Sequence, residues 1–309
     1  MVSTFKLVFF GIGGSWPVPE RNLIALGVQV DSEILLFDCP EGTQKAIMSS
    51  SMSFMKISKI FISHFHGDHF LGLAGLIQTM ALNNRKNDLE IYGPENAINM
   101  ISSFLQIGYY SLPFNIKITE LSDNEELDFG SYFVKTKRAF HPVFTLAYSV
   151  EEKSQVKISK EKMDLYNIKS KEVKILRDQG YILKNNEKVY FEDIIAGTRT
   201  GRKIVYTGDT APMAGMADFA MNCDILVHDS TTGSEFEEKA NDYGHSSSRQ
   251  AAEIAKKANC KMLLLAHISP RYKLSENLYR LEKEAQEIFH ESYIAREYKE
   301  YIIKVGSVK

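Results

Sequence analysis

The hexapeptide His64-Phe65-His66-Gly67-Asp68-His69 follows directly on the apolar run Ile60-Phe61-Ile62-Ser63. Four good metal ligands in six residues cost stability unless something is bound there. The unbroken apolar run ahead of them reads as a strand buried on both faces. Polar residues at the carboxyl ends of such strands are where open α/β sheets place their sites. The same arrangement recurs three more times in the chain. Lys203–Tyr206 leads into Thr207-Gly208-Asp209-Thr210, Asp224–Val227 into His228-Asp229-Ser230-Thr231, and Lys261–Ala266 into His267-Ile268-Ser269-Pro270-Arg271-Tyr272.

Further short apolar runs predict strands at Lys6–Phe10, Leu23–Val30, Glu33–Phe37, Glu90–Tyr92, Tyr132–Lys135 and Thr145–Val150. Helical periodicity falls between them at Leu71–Leu82, Glu95–Leu105, Ser248–Ala258 and Ser275–His290. Ser247-Ser248-Arg249-Gln250 has the form of a capping box opening the third helix. Strands interleaved with helices predict an α/β fold with a covered sheet. No internal repeat and no Gly/Ser/Pro linker interrupts residues 1–309, which predicts a single domain. The exception in texture is Glu151–Val189, which lacks a strong apolar period and carries ten basic against seven acidic residues. Taken by itself, such a run reads as a solvated surface excursion.

Composition narrows the function classes. With 37 basic and 39 acidic residues the net charge is −2, which excludes a globally basic nucleic-acid binder but not a local basic patch. The 44% hydrophobic and 25% charged residues are those of an ordinary soluble globular protein. Three scattered cysteines, Cys39, Cys223 and Cys260, form no disulfide framework. No apolar run reaches the length of a membrane span, and Met1–Lys6 lacks the form of a signal peptide. Together these predict a cytoplasmic protein.

A lone histidine is most often a hydrogen-bonded structural residue, but the clustered ones here call for a different account. Alternate residues of an extended segment point the same way, so His64 and His66 are placed to chelate one ion. Asp68 and His69 follow at the turn and suggest a second. Two neighbouring ions need a bridging carboxylate. Asp209, ending a separate buried strand, is the natural bridge, and His141 and His267 supply the remaining ligands. His228 is expected behind the ligands, and Asp38 and Glu41 either buttress the ligand loops or touch substrate.

The series His64-x-His66-x-Asp68-His69, His141, Asp209, His267 matches the five-motif pattern of the metallo-β-lactamase superfamily. More narrowly, the chain resembles the ribonuclease Z family of tRNA 3′-processing endoribonucleases over essentially its whole length. The resembling stretches are Phe37-Asp38-Cys39-Pro40-Glu41-Gly42-Thr43-Gln44, Phe65–His69, His228–Thr231, Gly244-His245-Ser246-Ser247 and His267–Tyr272. The resemblance implies an αββα four-layer sandwich with two zinc ions, although the same ligand types accept manganese. One ion would be held by His64, His66 and His141, the other by Asp68, His69 and His267, with Asp209 shared. It further implies that Asp68 takes a proton from water and that His245, oriented by Asp229, is the general acid. Ser269, Arg271 and Tyr272 would hold the phosphate. The implied substrate is precursor tRNA, gripped in its body by an arm at residues 151–189, and the implied assembly is a homodimer.

Four departures from the family pattern stand out. Asp229 occupies a position usually held by Glu, and Pro19 a position usually held by Lys in the loop associated with sensing the CCA end. Cys39-Pro40 replaces Cys-Gly, and the arm lacks its usual Gly-Pro, with Lys169-Ser170-Lys171-Glu172 nearby. The rival readings are a general metallo-phosphodiesterase, a thioester or lactam hydrolase, and an RNA-binding relative with a vestigial centre.

Overall fold

The computed structural model describes residues 4–273 and 275–305. Met1–Ser3, read above for a leader, lie outside the described residues. The chain divides into two compact units, a large one comprising residues 4–151 and 203–304 and a small one at Glu152–Arg202.

The large unit contains two seven-stranded sheets. One runs in the spatial order Glu300–Ile302, Phe5–Gly11, Ala25–Val30, Glu33–Phe37, Ile57–Phe61, Leu89–Gly93, Ile116–Glu120. The other runs Ser292–Ile294, Leu263–Ala266, Ile225–Asp229, Lys203–Tyr206, Leu146–Glu152, Tyr132–Arg138, Glu126–Asp128. Side chains alternate along a strand, so a strand apolar at every position must be covered on both faces. The strand Phe5–Gly11 shows this directly. Phe5, Leu7 and Phe9 enter a core shared with Tyr148, Ile204 and Leu264 of the other sheet, while Val8 and Phe10 enter a second core with Ile47, Leu76 and Ile101. In the second sheet Leu264 and Ala266 face the shared core and Leu263 and Leu265 face a third, built with Ala251, Ile254 and Leu281 of the covering helices. Three apolar layers between four layers of elements make the αββα sandwich. Each fully buried Phe or Leu contributes roughly 1.5–3 kcal/mol relative to exposure.

The runs Glu33–Phe37 and Lys203–Tyr206 form strands with the predicted bounds. The helix at Ser248–Lys257 opens on the predicted capping box. Ser247 Oγ accepts from the Gln250 N–H at 3.1 Å and the Gln250 side chain accepts from the Ser247 N–H at 3.0 Å. Sequence reading missed Ile116–Glu120, Glu126–Asp128, Ser292–Ile294 and Glu300–Ile302, which include all four sheet-edge strands and are short or half polar.

The small unit begins where the sequence suggested but extends to Arg202 rather than ending at Val189. It holds helices Lys160–Leu165 and Ser170–Gln179, the hairpin Tyr181–Lys184 with Glu187–Tyr190, and a strand pair Gln155–Ile158 with Ile195–Arg199. Asn185 and Asn186 turn the hairpin with φ of 49° and 65°, the paired positive values of a two-residue type I′ turn. The buried core of this unit is Ile168, Leu176, Val189 and Ile194. Four residues spread over 27 positions produce no periodic signal, so the local sequence looked like an unstructured excursion.

Candidate metal centre

All seven predicted ligands converge at the carboxyl ends of the strands. The ligand atoms of His64, His66, His141 and Asp209 lie within 4.8 Å of one another, and so do those of Asp68, His69 and His267. Asp209 Oδ2 sits between the sets, 3.7 Å from His64 Nε2, 3.4 Å from His69 Nε2 and 3.3 Å from His267 Nε2. Asp68 Oδ2 is 3.5 Å from His267 Nε2.

The Nδ1 partner of each imidazole explains why its Nε2 faces the cluster. Ser63 Oγ donates to Asp38 Oδ2 at 2.8 Å, so its oxygen accepts from His64 Nδ1 at 3.0 Å. His69 Nδ1 donates to the same Asp38 oxygen at 2.8 Å, and Tyr206 also donates to it at 2.6 Å. His141 Nδ1 donates to the Gly244 carbonyl at 2.9 Å. Thr231 Oγ1 gives its proton to Asp229 Oδ1 at 2.7 Å and accepts from His267 Nδ1 at 2.9 Å. Four imidazoles are thereby set in the tautomer that presents an Nε2 lone pair, as metal-binding histidines usually are. Nε2 of His64, His69 and His267 and Oδ1 of Asp209 are buried with no hydrogen-bond partner among the described residues. Buried polar atoms without partners are costly, and several aimed at one point fit a cation. The donor set suits a metal ion.

Backbone conformation holds this geometry. Asp38 and His267 adopt φ of 57°, unusual for residues with a Cβ, and Gly208 beside Asp209 adopts 58°. A side chain at Gly14 would lie 2.5 Å from the His267 ring, and one at Gly244 would lie 2.7 Å from His141 Nδ1. The loop containing Gly14 is also tied to the turn Ser269–Tyr272. Arg21 donates to the carbonyls of Ser269 and Tyr272 at 3.2 and 3.1 Å, and Glu297 accepts from the Asn22 N–H at 2.7 Å. Arg21, Thr231 and Gly14 carry no metal-ligand signature, so the sequence did not mark them.

Electrostatics sort the groups further. Burial lowers the basicity of His64, His66 and His141, which favours neutral ligands. His69 is equally buried, but the charges of Asp209 and Asp38 outweigh that and push it well up. Asp68 is half-buried, yet His267 and His69 hold its carboxyl at about 2, and its Oδ2 accepts from the Ser15 N–H at 2.7 Å.

Asp229 lies near the centre but its oxygens are taken. Oδ1 accepts from the Thr231 N–H and hydroxyl, and Oδ2 accepts from the Thr210 N–H at 3.1 Å and from His245 Nδ1 at 2.8 Å. The shorter aspartate therefore reaches the imidazole. Burial works against a charged His245, but the adjoining Asp229 carboxylate reverses this and raises it to about 9. The His245 ring stacks on His267 at 5.1 Å.

His228 is buried with Nδ1 on the Asp229 carbonyl at 2.7 Å and belongs to neither ligand set. Arg271 is exposed, its guanidinium 4.5 Å over the Phe236 ring. The Ser269 side chain caps its own turn, accepting from the Arg271 N–H at 3.5 Å. Tyr272 is buried, donating its hydroxyl to Glu235 at 2.9 Å and accepting from the Gly233 N–H at 2.8 Å. No helix among the described residues is long and apolar enough to cross a membrane.

Comparison with known proteins adds four likenesses. Residues 5–277 match the family described as Anti-Pycsar protein Apyc1. The chain is 48% identical over 305 residues to ribonuclease Z of Thermoplasma volcanium, covering 99% of each chain. Among solved structures, the short form of human tRNase Z superposes with a TM-score of 0.71 at 26% identity, covering 98% of this chain and 100% of that one. The metallo-β-lactamase fold protein YhfI from Bacillus subtilis superposes with a TM-score of 0.70 at 19% identity, covering 97% and 100%, a likeness of fold.

Proposed function

The chain belongs to the ribonuclease Z family and, over residues 5–277, to the family described as Anti-Pycsar protein Apyc1, and on that premise we propose that it is the endoribonuclease that cuts the 3′ trailer from precursor tRNA. The observation that carries this reading is the convergence of bare His64, His69 and His267 Nε2 atoms on Asp209, with the His245–Asp229 pair beside them.

His64, His66 and His141 would hold one zinc ion and Asp68, His69 and His267 a second, with Asp209 shared; manganese fits the same donors. A pair of such cations supplies Lewis-acid charge that lowers the pKa of water and neutralises a phosphodiester oxygen. The chain's own residues do the rest. Asp68, ionised throughout the physiological range, is both ligand and acceptor for the proton of the attacking water. His245 is kept protonated by Asp229 and delivers that proton to the leaving 3′ oxygen of the tRNA-side ribose, giving a 3′-hydroxyl on the tRNA and a 5′-phosphate on the trailer. Arg271, oriented over Phe236, and Ser269 face the phosphate, with Arg suited to bidentate contact. Tyr272, its hydroxyl committed to Glu235, serves by holding that turn. The small unit, with its basic surface, grips the tRNA body through phosphates. We place the protein in the cytoplasm as a homodimer.

The test is cleavage of a 3′-extended precursor tRNA and of the same tRNA ending in CCA, with and without chelator, mapped on a sequencing gel. The expected result is one chelator-sensitive cut near the discriminator base, and the CCA lane reports what Pro19 does in the end-sensing loop. Hydrolysis of a simple diester with every tRNA left intact would replace this reading with a general phosphodiesterase.

A further inference from the structure

Three aromatic rings stand bare on three separate segments that build the centre. Trp16 is 61% exposed, Phe140 66% and Tyr243 64%. Their backbones, by contrast, are fixed. Trp16 follows Ser15, whose N–H is on Asp68, and donates its own N–H to the Gly14 carbonyl at 3.0 Å. Phe140 precedes His141, donates its N–H to Thr210 Oγ1 at 3.1 Å, and accepts from the Ala211 N–H at 2.8 Å. Tyr243 precedes Gly244, whose carbonyl orients His141, and donates its N–H to the Ala240 carbonyl at 3.1 Å. A single exposed aromatic needs no explanation. Three of them, each one or two residues from a group in the metal centre, stand on backbone that is hydrogen-bonded in place before anything binds.

We propose that Trp16, Phe140 and Tyr243 form a stacking rim for the unpaired trailer bases next to the scissile phosphodiester. This inference rests on the reading of the centre as an RNA-cutting site and assigns it a second recognition element, aimed at bases rather than phosphates. Every base has a π face, so such a rim accepts any trailer sequence. A base rigidly backed by an aromatic ring also fixes the adjoining phosphate, which matters when cleavage geometry must be held to fractions of an ångström. Phe236 is outside the rim because its face already carries the Arg271 guanidinium.

Trp16 is the sole tryptophan of the chain, so its emission reports on one place. The zinc-loaded protein is titrated with a short single-stranded phosphorothioate oligonucleotide and with the same backbone carrying abasic residues. The rim predicts saturable quenching by the first and none by the second. In turnover, Phe140→Ala and Tyr243→Ala each raise KM for a 3′-extended precursor about tenfold. On a precursor with an abasic trailer, wild type and variants coincide, because there is no base left to stack. Absence of quenching by any oligonucleotide overturns the rim. If the precursor is nevertheless cut, the nuclease reading stands without it. Quenching without precursor cleavage keeps the rim and removes the tRNA assignment. A Trp16 emission change that follows protein concentration instead of oligonucleotide assigns the rings to contact between two copies and likewise overturns the proposal.

Discussion

In the large unit, Asp209 and three imidazoles meet at a buried point where Asp209 Oδ1 and the three Nε2 atoms have no hydrogen-bond partner among the described residues, whereas in Glu152–Arg202 most lysines stand in water over a core of four buried side chains. The small unit carries twelve Lys and Arg against eight Asp and Glu, which leaves twenty-five against thirty-one for the rest of the chain. Three of those twelve form ion pairs inside the unit, Arg199 and Arg202 each with buried Glu152 at 2.9 Å and Lys184 with Glu172 at 2.9 Å. Lys157, Lys160, Lys169, Lys171, Lys174 and Lys188 are exposed. Under the proposed function the contrast corresponds to two tasks. Chemistry on a phosphodiester needs charges fixed in a dry, rigid place, where each is worth more than in water. Holding a long polyanion needs charges that stay solvated and release counterions on contact. One region is therefore expected to be sensitive to single atoms and insensitive to salt, and the other the reverse.

The sharpest way to break this comparison is at its centre. Asp209→Ala removes the carboxylate shared by both ligand sets and is expected to lower kcat on precursor tRNA and on a small phosphodiester alike by at least about a thousandfold. Metal content by elemental analysis should fall with it. Comparable activity in this variant would remove the shared-ligand role.

Next comes excision of the small unit. Glu152 N–H bonds the Arg202 carbonyl at 2.8 Å, so the two ends are adjacent and a short Gly linker can close the gap. Precursor tRNA cleavage should drop about a hundredfold in kcat/KM, and its dependence on salt should flatten. A small diester should be hydrolysed at an undiminished rate. Equal losses on both substrates would show that the unit supports the centre rather than the substrate.

His245→Ala probes the boundary between the metal ions' work and the side chains' work. Loss of a general acid should cost about a hundred- to a thousandfold in kcat on RNA, where the leaving ribose oxygen needs a proton. A nitrophenyl diester, whose leaving group departs as the anion, should lose far less. In the metal-free protein the His245 imidazole should titrate at about 9, and Asp229→Asn should return it toward its ordinary value of 6.5. Because the folded value is raised, the stabilisation from this pair is complete below about pH 6.5 and fades as the pH rises through 9. An NMR titration of the ring protons reads this directly, and an unshifted His245 in wild type would break the assignment.

The smallest effect concerns the little core. Leu176→Ala should cost that unit roughly 2–5 kcal/mol, enough to loosen it while leaving metal content and small-diester turnover untouched. Hydrogen exchange confined to residues 152–202 is the expected signature.

Read locally, the sequence determined an α/β fold with covered sheets and the candidate ligands, while the four-layer sandwich came from the family resemblance. A strand apolar at every position demands two covered faces, and His64-x-His66-x-Asp68-His69 makes little sense without a cation. What the sequence could not determine is how the imidazoles are turned and what keeps them so. Asp38, Thr231 and the Gly244 carbonyl set the tautomers of His69, His267 and His141 from positions 31, 36 and 103 residues away. The four buried residues of the small unit likewise became a core only when helix and hairpin met. Ligand identity survives as a pattern along the chain, whereas hydrogen-bond direction and the closure of a small core depend on residues far apart in sequence and exist only once tertiary structure has brought them together.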